Sequence, residues 1–440
     1  MRIKIDHIAK IEGHAGFTAD IVGGNVSQAR LQVLEGARLL EGILRDRNYN
    51  EVSQISARIC GVCPVVHNLT SLKALEKALG VEVSEQTILL RKLLMLGQII
   101  NSHALHIFFF SLSDFFGIKD DLKLIEKYPK KTKQAVSIRG FGNQIIEIIG
   151  GRSIHPLTPV VGGFTKLPAV NTILKIGEKT KEILPTAIKL AEFFAKLKYP
   201  EFERETAFVS LTAKNEYAIY DGEICIGGKK AAGVDNFMQK INEFQVAEDA
   251  VKRTTLDKKP YMVGAVARIN NNHKQLNKEA KKILKTSKIK LPSFNPFHNI
   301  LAQAIEIVHC VEEVTKILHE YKSNEFTGAQ ETRFPFGNLV SKNIKTGAGA
   351  AAIEAPRGTL FYYYEIGDRG LIKNCNIITP TAQNLARLEE DLEIWLPRLQ
   401  TPKRSDGGQA QLKKLKEEQI KDKIRMLIRA YDPCLTCATH

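Results

Sequence analysis

The sequence has few cysteines and no stretch typical of a secreted or membrane-spanning chain. Its 440 residues include seven cysteines, and nothing else suggests an oxidising compartment, so disulfides are not expected. The first residues, Met1–Asp6, lead straight into an alternating pattern rather than a signal peptide. No uncharged apolar run approaches the roughly 20 residues of a membrane helix. We therefore expect a globular, cytoplasmic protein without a membrane span.

Acidic residues are outnumbered by basic ones, and the formal net charge is +15. A basic face could bind nucleic acid or an acidic partner. The lysines are scattered, however, with local density only at 278–290 and 413–423, and no aromatic residues are interleaved with them. Nucleic-acid binding is not expected, and part of the positive charge could face a partner subunit.

Apolar periodicity predicts a predominantly helical α+β fold that can bury a large core. The expected division of a single domain, 1–440, is an N-terminal β and metal-motif part (1–80), a helical core (81–204), a small β satellite (205–232) and a helical part with the C-terminal metal motif (233–440). The predicted strands are 17–22, 26–33, 207–211, 217–220, 223–226 and part of 360–374. The predicted helices are 38–45, 51–80 with a break at the cysteines, 84–110, 131–149, 169–197, 234–251, 274–287, 299–321, 381–396 and 409–431.

Each end of the chain holds two cysteines three residues apart, followed by a histidine: Cys60, Cys63 and His67, then Cys434, Cys437 and His440. This spacing puts thiolates on one side of a turn or helix start, where they can converge on a metal such as Zn, Fe, Ni or Cu. Compact zinc modules separate their pairs by about 12–20 residues. Here only a large folded domain could join the pairs. Spacing alone leaves a structural zinc site, a redox-active or catalytic metal, and unconnected thiols open.

Further motifs occur in order with these cysteines, and together they resemble the large, catalytic subunit of [NiFe] hydrogenases. The resemblance covers essentially the whole chain and implies that subunit's fold, with a core bundle of long helices and small peripheral sheets. It also implies reversible cleavage of H2 to protons and electrons. The shared motifs are Ile11–His14, Arg38–Glu41, His103–Asp114, Gly150–Pro156, Glu354–Gly358 and Thr379–Thr381.

The resemblance implies a Ni ion held by Cys60, Cys63, Cys434 and Cys437. Cys63 and Cys437, the second cysteine of each pair, would bridge Ni to an Fe that carries CO and cyanide. A terminal thiolate, which we assign to Cys434, would accept the proton. The complete cysteine set argues against two alternatives, a zinc scaffold and a non-catalytic relative such as the quinone-site subunit of respiratory complex I.

The same motifs assign residues around this centre. Glu12 would relay the proton outwards, since a carboxyl group can accept and release a proton. Arg357, a permanent donor, and Thr381 would hydrogen-bond the cyanide ligands, with Pro356 constraining the loop beside them. The ordinary alternative for Glu12 is a capping or surface glutamate, and the alternative for Arg357 is a surface ion pair.

Two aspartates and a histidine complete these surroundings. Asp114 and Asp432 would form a charged canopy with Arg357 over the open Ni–Fe position. His67 would hydrogen-bond near a bridging thiolate and so tune it. Each of the three has an ordinary alternative, because aspartates often end helices and a single histidine is often a packed core residue.

The C-terminal residue is expected to bind a second metal. His440, the carboxylate of Glu41 and a backbone carbonyl near Ile377 would hold Mg²⁺, which suits an oxygen-rich site, although a nitrogen ligand also admits Fe. Large subunits of this family are usually made with an extension that maturation proteins remove just after this position.

Electrons need a route out of this chain. The three remaining cysteines, Cys225, Cys310 and Cys375, are isolated in sequence and cannot supply the four thiolates of an iron–sulfur cluster. We therefore expect an iron–sulfur small subunit as a partner. The opening motif resembles the cytoplasmic, multimeric hydrogenases, which implies further flavin or iron–sulfur subunits and a soluble acceptor such as NAD(P).

Overall fold

The computed structural model describes residues 2–22, 25–231, 233–247, 249–323, 346–400 and 415–440. Long helices and short sheets make up these ranges, which confirms the predominantly helical α+β class. The helices are α1 (Leu40–Leu44), α2 (Tyr49–Ser56), α3 (Pro64–Leu79), α4 (Glu85–Ala104), α5 (Leu112–Phe115), α6 (Asp121–Lys127), α7 (Pro129–Gly150), α8 (Val170–Ala195), α9 (Val234–Met238), α10 (Ala265–Asn272), α11 (Lys278–Thr286), α12 (His298–Ser323), α13 (Pro380–Gln400), α14 (Glu417–Ala430) and α15 (Leu435–Ala438). The strands are β1 (Arg2–Ile5), β2 (Ala15–Val22), β3 (Asn25–Val33), β4 (Pro159–Val160), β5 (Gly163–Phe164), β6 (Ala207–Thr212), β7 (Glu223–Ile226), β8 (Lys229–Lys230), β9 (Ile241–Gln245), β10 (Lys252–Leu256), β11 (Tyr261–Met262), β12 (Gly347–Ala355), β13 (Gly358–Ile366) and β14 (Ile372–Ile378).

The central bundle consists of long helices in which α4 packs against α7 and α12, and α8 packs against α7 and α12. Gly97 of α4 and Gly142 of α7 allow the closest approach. A Cβ atom at Gly142 would lie 2.6 Å from the Gly97 carbonyl oxygen. Because a side chain at either position would force the backbones apart, the two glycines set the distance between these helices.

Helix α4 continues through a π-helical segment, Leu105–Ser111, into α5. The stretch Glu85–Phe115 is long and apolar enough to cross a membrane by composition, but 78% of its most apolar window is buried inside the protein. Core helices of globular proteins meet the same criterion, and the bundle contacts of α4 account for its apolar surface.

Three sheets surround the bundle. Strands β1–β3 form an antiparallel sheet whose third strand packs on α13, and β12–β14 form a second antiparallel sheet under α3. The satellite sheet has the order β11-β6-β7-β8 with β11 parallel to β6, and two strand pairs, β4–β5 and β9–β10, stand apart. The sheet β12–β14 positions the site, because β12 and β13 flank the turn that contains Pro356 and Arg357.

Two predicted elements are wrong. Residues 217–220 are not a strand, because Tyr217 and Tyr220 turn their hydroxyl groups towards buried charged side chains. Of the helix predicted over 234–251 only Val234–Met238 forms, since Ile241–Gln245 pairs instead with Lys252–Leu256. Part of the helix predicted over 409–431 lies outside the described residues, and the division into segments stays a prediction.

Candidate metal centre

The four cysteines form one buried cluster, although two lie near residue 60 and two at the chain end. Their Sγ atoms all lie within 4.8 Å of one another. The Sγ–Sγ distances are 2.9 Å for Cys434–Cys437, 3.2 Å for Cys63–Cys437 and 3.5 Å for Cys60–Cys434. In the part of the chain that the structure describes, no other group of three His, Cys, Asp or Glu side chains converges in this way.

The first cysteine pair is held by α4. Cys60 lies in the extended segment before α3, and Cys63 is the N-cap residue of α3. Gln98 of α4 accepts a hydrogen bond from Val65 N at 3.1 Å and donates one to Val62 O at 2.7 Å. This buried amide fixes the turn between the two cysteines from both sides.

The second pair is held by the N-terminal segment. A parallel backbone bridge joins Glu12 to Cys434. Arg38 Nη2 donates a hydrogen bond to Ile59 O at 2.7 Å and another to Thr436 O, so one guanidinium links the two cysteine motifs. These long-range bonds explain how thiols 374 residues apart come within bonding reach of one ion.

The electrostatics of the four thiols favour a bound cation. Hydrogen bonds from the neighbouring thiols, that of Cys434 foremost, lower the pKa of Cys60 well below its ordinary value. Burial raises the pKa of Cys434 and of Cys437 well above the ordinary value. One thiolate is therefore stabilised at the expense of the others. Four buried thiolates can coexist only with a metal that supplies positive charge, since ligating thiols must be deprotonated.

A small cavity of about 10 Å³ adjoins Cys63, Cys434 and Cys437. Its walls are mainly apolar, and besides the cysteines the polar side chains that line it are those of His67, Arg357 and Thr381. Apolar walls with a few buried donors are the chemical surroundings that a second metal with small diatomic ligands would need. The other lining residues are Val66, Ala355, Pro356, Leu360 and Pro380.

Arg357 and Asp432 form a buried ion pair at this cavity. Arg357 Nε donates to Asp432 Oδ1 at 3.1 Å and to its carbonyl oxygen at 2.8 Å, and Gln303 Nε2 donates to Asp432 Oδ2 at 3.0 Å. Arg357 Nη2 lies 2.9 Å from Asp432 Oδ1 but makes no hydrogen bond. That N–H group is a buried donor without a hydrogen-bond partner, and the role expected for Arg357 stays a prediction.

Glu12 lies against the thiol of Cys434. Cys434 Sγ donates a hydrogen bond to Glu12 Oε2 at 2.9 Å, and the hydroxyl of Thr436 donates to the same oxygen. Burial raises the pKa of Glu12. A carboxyl group in direct contact with a thiol is placed to exchange a proton with it.

His67 and Thr381 contact the cysteines directly. His67 Nε2 lies 3.4 Å from Cys437 Sγ, while its Nδ1 lies 2.7 Å from the hydroxyl of Tyr362. Burial lowers the pKa of His67 to about 3, so the imidazole is neutral at neutral pH. Thr381 Oγ1 accepts a hydrogen bond from Cys434 N at 2.9 Å, which leaves its hydroxyl proton free to face the cavity.

The predicted C-terminal metal ligands also meet. His440 Nε2 lies 2.8 Å from Ile377 O and 3.6 Å from Glu41 Oε1. Lys252 Nζ lies 3.1 Å from Glu41 Oε2. Although burial opposes it, His440 and Lys252 lower the pKa of Glu41 to about 2. A carboxylate, a carbonyl and an imidazole suit a divalent ion, and Lys252 already neutralises part of the carboxylate charge.

Asp114 is not brought to the cavity with Arg357 and Asp432. It forms an ion pair with Arg429 Nη1 at 2.5 Å, in a separate cleft between α5 and α14. The π-helical segment Leu105–Ser111 explains the difference, because its wider turns change the face on which later residues lie. Burial raises the pKa of Asp114 to about 6.

Sequence reasoning gave no role to several residues that hold the centre together. Their partners are hundreds of residues away in several cases, and no local pattern identifies them. Arg38 alone carried a signal, since it opens a recognised motif. The residues are Arg38, Gln98, Gln303, Tyr362 and Thr436.

Comparison with known proteins agrees with this geometry. Residues 38–139 and 212–440 match the family described as nickel-dependent hydrogenase. The alpha subunit of sulfhydrogenase 1 from Pyrococcus furiosus is 34% identical over 440 residues, covering 100% of this chain and 97% of the relative. The beta subunit of the NAD-reducing hydrogenase HoxS from Cupriavidus necator is 26% identical, covering 100% of this chain and 94% of the relative. A solved NAD+-reducing [NiFe]-hydrogenase in the H2-reduced state superposes with a TM-score of 0.83 at 25% identity, covering 100% of this chain and 99% of that chain.

The fold and the four-cysteine site thus define a hydrogenase large subunit. The chain belongs to the nickel-dependent hydrogenase family, as a catalytic subunit that cleaves H2.

Proposed function

We propose that this chain cleaves H2 reversibly and heterolytically and passes the electrons to an iron–sulfur partner and on to a soluble acceptor. The observation that carries the proposal is the buried cluster of four thiols beside a mainly apolar cavity that Arg357 enters. Cys60, Cys63, Cys434 and Cys437 would hold Ni, with Cys63 and Cys437 shared with an Fe that carries CO and cyanide. When bound, this group supplies the Lewis acidity and the redox chemistry of the reaction.

The protein's own groups manage the proton. Cys434 Sγ accepts it and passes it to Glu12 Oε2 across the 2.9 Å hydrogen bond. The hydroxyl of Thr436 bonds the same carboxyl oxygen and fixes its orientation. Because the backbone bridge between Glu12 and Cys434 sets their separation, the transfer distance does not depend on a flexible side chain alone.

The cavity side chains would hold the diatomic ligands and exclude water. Arg357 offers the unused N–H group at Nη2, and Thr381 offers its hydroxyl proton. Pro356 and the apolar residues beside it in the cavity lining have no side-chain hydrogen-bond donors. Asp432 keeps Arg357 in place, so these two residues form the charged canopy over the open position, and Asp114 lies outside it.

The C-terminal site would hold Mg²⁺, or Fe, between Glu41, the Ile377 carbonyl and His440. The 2.8 Å contact between His440 Nε2 and Ile377 O brings the last residue onto β14. An ion there fastens the chain end that carries Cys434 and Cys437.

Electrons leave through the surface beside the first cysteine pair. Arg58 and Gly61 are exposed on either side of Cys60. Leu39, Ile154 and Leu157 expose 70%, 50% and 47% of their surface. The loop that carries the last two is tied to the same turn, since His155 Nδ1 lies 2.9 Å from Ala57 O. Exposed apolar side chains around the turn at Cys60 mark the contact surface for the iron–sulfur subunit.

Aspartate substitutions test this surface. Ile154→Asp and Leu157→Asp should each release the small subunit during purification, because a charge would be buried in the interface. Val136→Asp is the matched control. Val136 is 54% exposed on α7. It lies about 20 Å along that helix from the loop that carries Ile154 and Leu157. Co-purification of the small subunit with both loop variants at the wild-type ratio would refute the assignment.

The soluble acceptor is inferred from relatives. The matched subunits include one from a NAD-reducing hydrogenase, and a cytoplasmic complex with further flavin or iron–sulfur subunits follows if this chain works in the same way. The purified complex under H2 should reduce NAD+ or NADP+ as well as an artificial dye. Dye reduction without reduction of either nicotinamide would confine the proposal to the H2-cleaving step.

A further inference from the structure

A buried arginine lies directly behind the turn that carries Pro356 and Arg357. Arg268 of α10 is 0% exposed. Its guanidinium donates to Glu306 through Nε at 2.6 Å and through Nη2 at 2.7 Å, and to Glu354 through Nη1 at 2.9 Å. None of the chemistry described above uses this charge, which is costly to bury without a purpose or a complete set of partners.

The same guanidinium also holds the backbone of the turn. Nη1 donates to Ala355 O at 2.8 Å and Nη2 donates to Pro356 O at 3.0 Å. These two carbonyls fix the peptide planes on both sides of Pro356, immediately before Arg357. A planar guanidinium offers five donors in a fixed fork, and Arg268 uses them on two carboxylates and two carbonyls at once.

Close packing restrains the far side of the turn. Gly358 has φ +133°, and a Cβ atom there would lie 2.4 Å from the side chain of Val263. Gly264 faces the carbonyl of Arg357, which lies 3.4 Å from its ideal Cβ position. The turn is therefore held by Arg268 at the Ala355 and Pro356 carbonyls and by close packing at Gly358, and the Arg357 side chain lines the cavity.

We propose that Arg268 is a positioning residue that sets where the Arg357 guanidinium lies in the metal cavity. Glu306 anchors it in turn, because Glu306 Oε1 accepts a hydrogen bond from the Tyr217 hydroxyl at 2.6 Å and Oε2 lies 2.8 Å from His103 Nε2. The motif residue His103 thereby acquires a role at the outer end of this network. This inference rests on the proposed function, since it assigns the cavity to an Fe with diatomic ligands.

The test is infrared spectroscopy of the purified enzyme complex, which reports the CO and cyanide stretching bands. In Arg268→Lys the charge stays, but a lysine cannot reach both carboxylates and both carbonyls. We expect the bands to shift or broaden, because the donor Arg357 moves relative to the diatomic ligands. Turnover per bound Ni should fall by about 10²-fold, the usual effect of a misplacement near 1 Å.

Arg91→Lys is the matched control. Arg91 is also 0% exposed, donates to Glu76 at 2.6 and 2.8 Å, and donates to a backbone carbonyl, that of Val160, at 2.9 Å. It touches no residue of the metal cavity. Its replacement should destabilise the fold to a similar extent and leave the infrared bands at the wild-type positions.

Milder variants cover the case in which Arg268→Lys takes up no metal. Glu306→Gln weakens the anchor of Arg268, and Tyr217→Phe removes one hydrogen bond from that anchor. The band displacement should decrease from Arg268→Lys to Glu306→Gln to Tyr217→Phe, and a displaced band in Glu306→Gln supports the proposal by itself.

Wild-type band positions in Arg268→Lys would overturn the proposal. If Arg268→Lys holds no metal, wild-type band positions in Glu306→Gln would overturn it instead. A band displacement in Arg91→Lys equal to that in Arg268→Lys would also overturn it. A wild-type complex that binds Ni and Fe but has no such bands would instead refute the diatomic ligands of the proposed function, and this inference with them.

Discussion

Replacement of Glu12 by glutamine isolates the proton-transfer role of this side chain. The backbone bridge to Cys434 does not involve the side chain, so it should persist in the variant. A glutamine carbonyl oxygen can still accept hydrogen bonds from Thr436 and Cys434, as Glu12 Oε2 does. The group that is lost is the carboxyl able to take up and release a proton.

The expected magnitude follows from this separation of roles. Loss of a positioned acid–base group costs typically 10²–10⁴-fold in rate, so H2-dependent dye reduction and H2/D2O isotope exchange should fall by about that factor. Loss of one charge-assisted hydrogen bond costs about 1.5–3 kcal/mol at most. The folded protein and its Ni and Fe content should therefore remain close to those of the wild type.

Glu35→Gln is the control for Glu12→Gln. Glu35 lies in the same N-terminal region and accepts a hydrogen bond from His14 N at 3.0 Å, but it does not contact a cysteine. This control should retain wild-type exchange and turnover. Wild-type isotope exchange in a fully metal-loaded Glu12→Gln enzyme would refute the proton path from Cys434 through Glu12.

Three further predictions concern ligation, packing and pH. Cys434→Ser should abolish H2 turnover and bound Ni, measured by elemental analysis, and turnover at the wild-type rate would contradict the ligand set. Gly142→Ala should lower the free energy of unfolding by about 1–3 kcal/mol through overpacking, because the new Cβ would lie 2.6 Å from a carbonyl oxygen of α4. Gly140→Ala, with nothing within 4 Å, should instead stabilise α7 by about 0.5–1 kcal/mol in the same denaturant titration. Asp114, whose pKa of about 6 exceeds its ordinary value of 3.8, stabilises the fold most below about pH 4 and loses that contribution as the pH rises through 6. The stability of the wild type relative to Asp114→Asn should therefore fall between pH 4 and 7, by on the order of 3 kcal/mol, and a difference independent of pH would contradict the shift.

Apolar periodicity predicted the helices of the core, and local signals account for where they begin and end. Pro64 begins α3 and Gly80, with φ 67°, ends it, as expected for an N-terminal proline and a left-handed C-cap. Ser84 caps α4 by accepting from Thr87 N. Such signals act within a few residues, so a sequence displays them without reference to the rest of the fold.

The errors lie where distant partners decide the structure. Residues 241–245 become a strand because 252–256 pair with them, and the region 217–220 is shaped by hydroxyl groups that reach Glu306 and Arg91. Asp114 was assigned to the canopy by motif position, and the π-helical turns before it cannot be read from apolar spacing. Tertiary contacts of this kind override local propensity.

The site could be predicted further than the fold around it. Short motifs contain the four cysteines, Glu12, His67 and Arg357, and the residue types in these motifs indicate their chemistry. Gln98 and Arg268 could not be found in this way, because each acts on backbone carbonyls of another segment. Arg38 opens a motif, but nothing in the motif indicates its bond to Thr436 O. A side chain that bonds to backbone atoms leaves no complementary residue in the sequence to suggest the pairing.

Metal analysis combined with infrared spectroscopy of the purified complex tests the central claim most directly. The account predicts one Ni and one Fe at the cluster of Cys60, Cys63, Cys434 and Cys437, together with CO and cyanide stretching bands. A stoichiometric zinc ion in a complex with neither Ni nor these bands would contradict it.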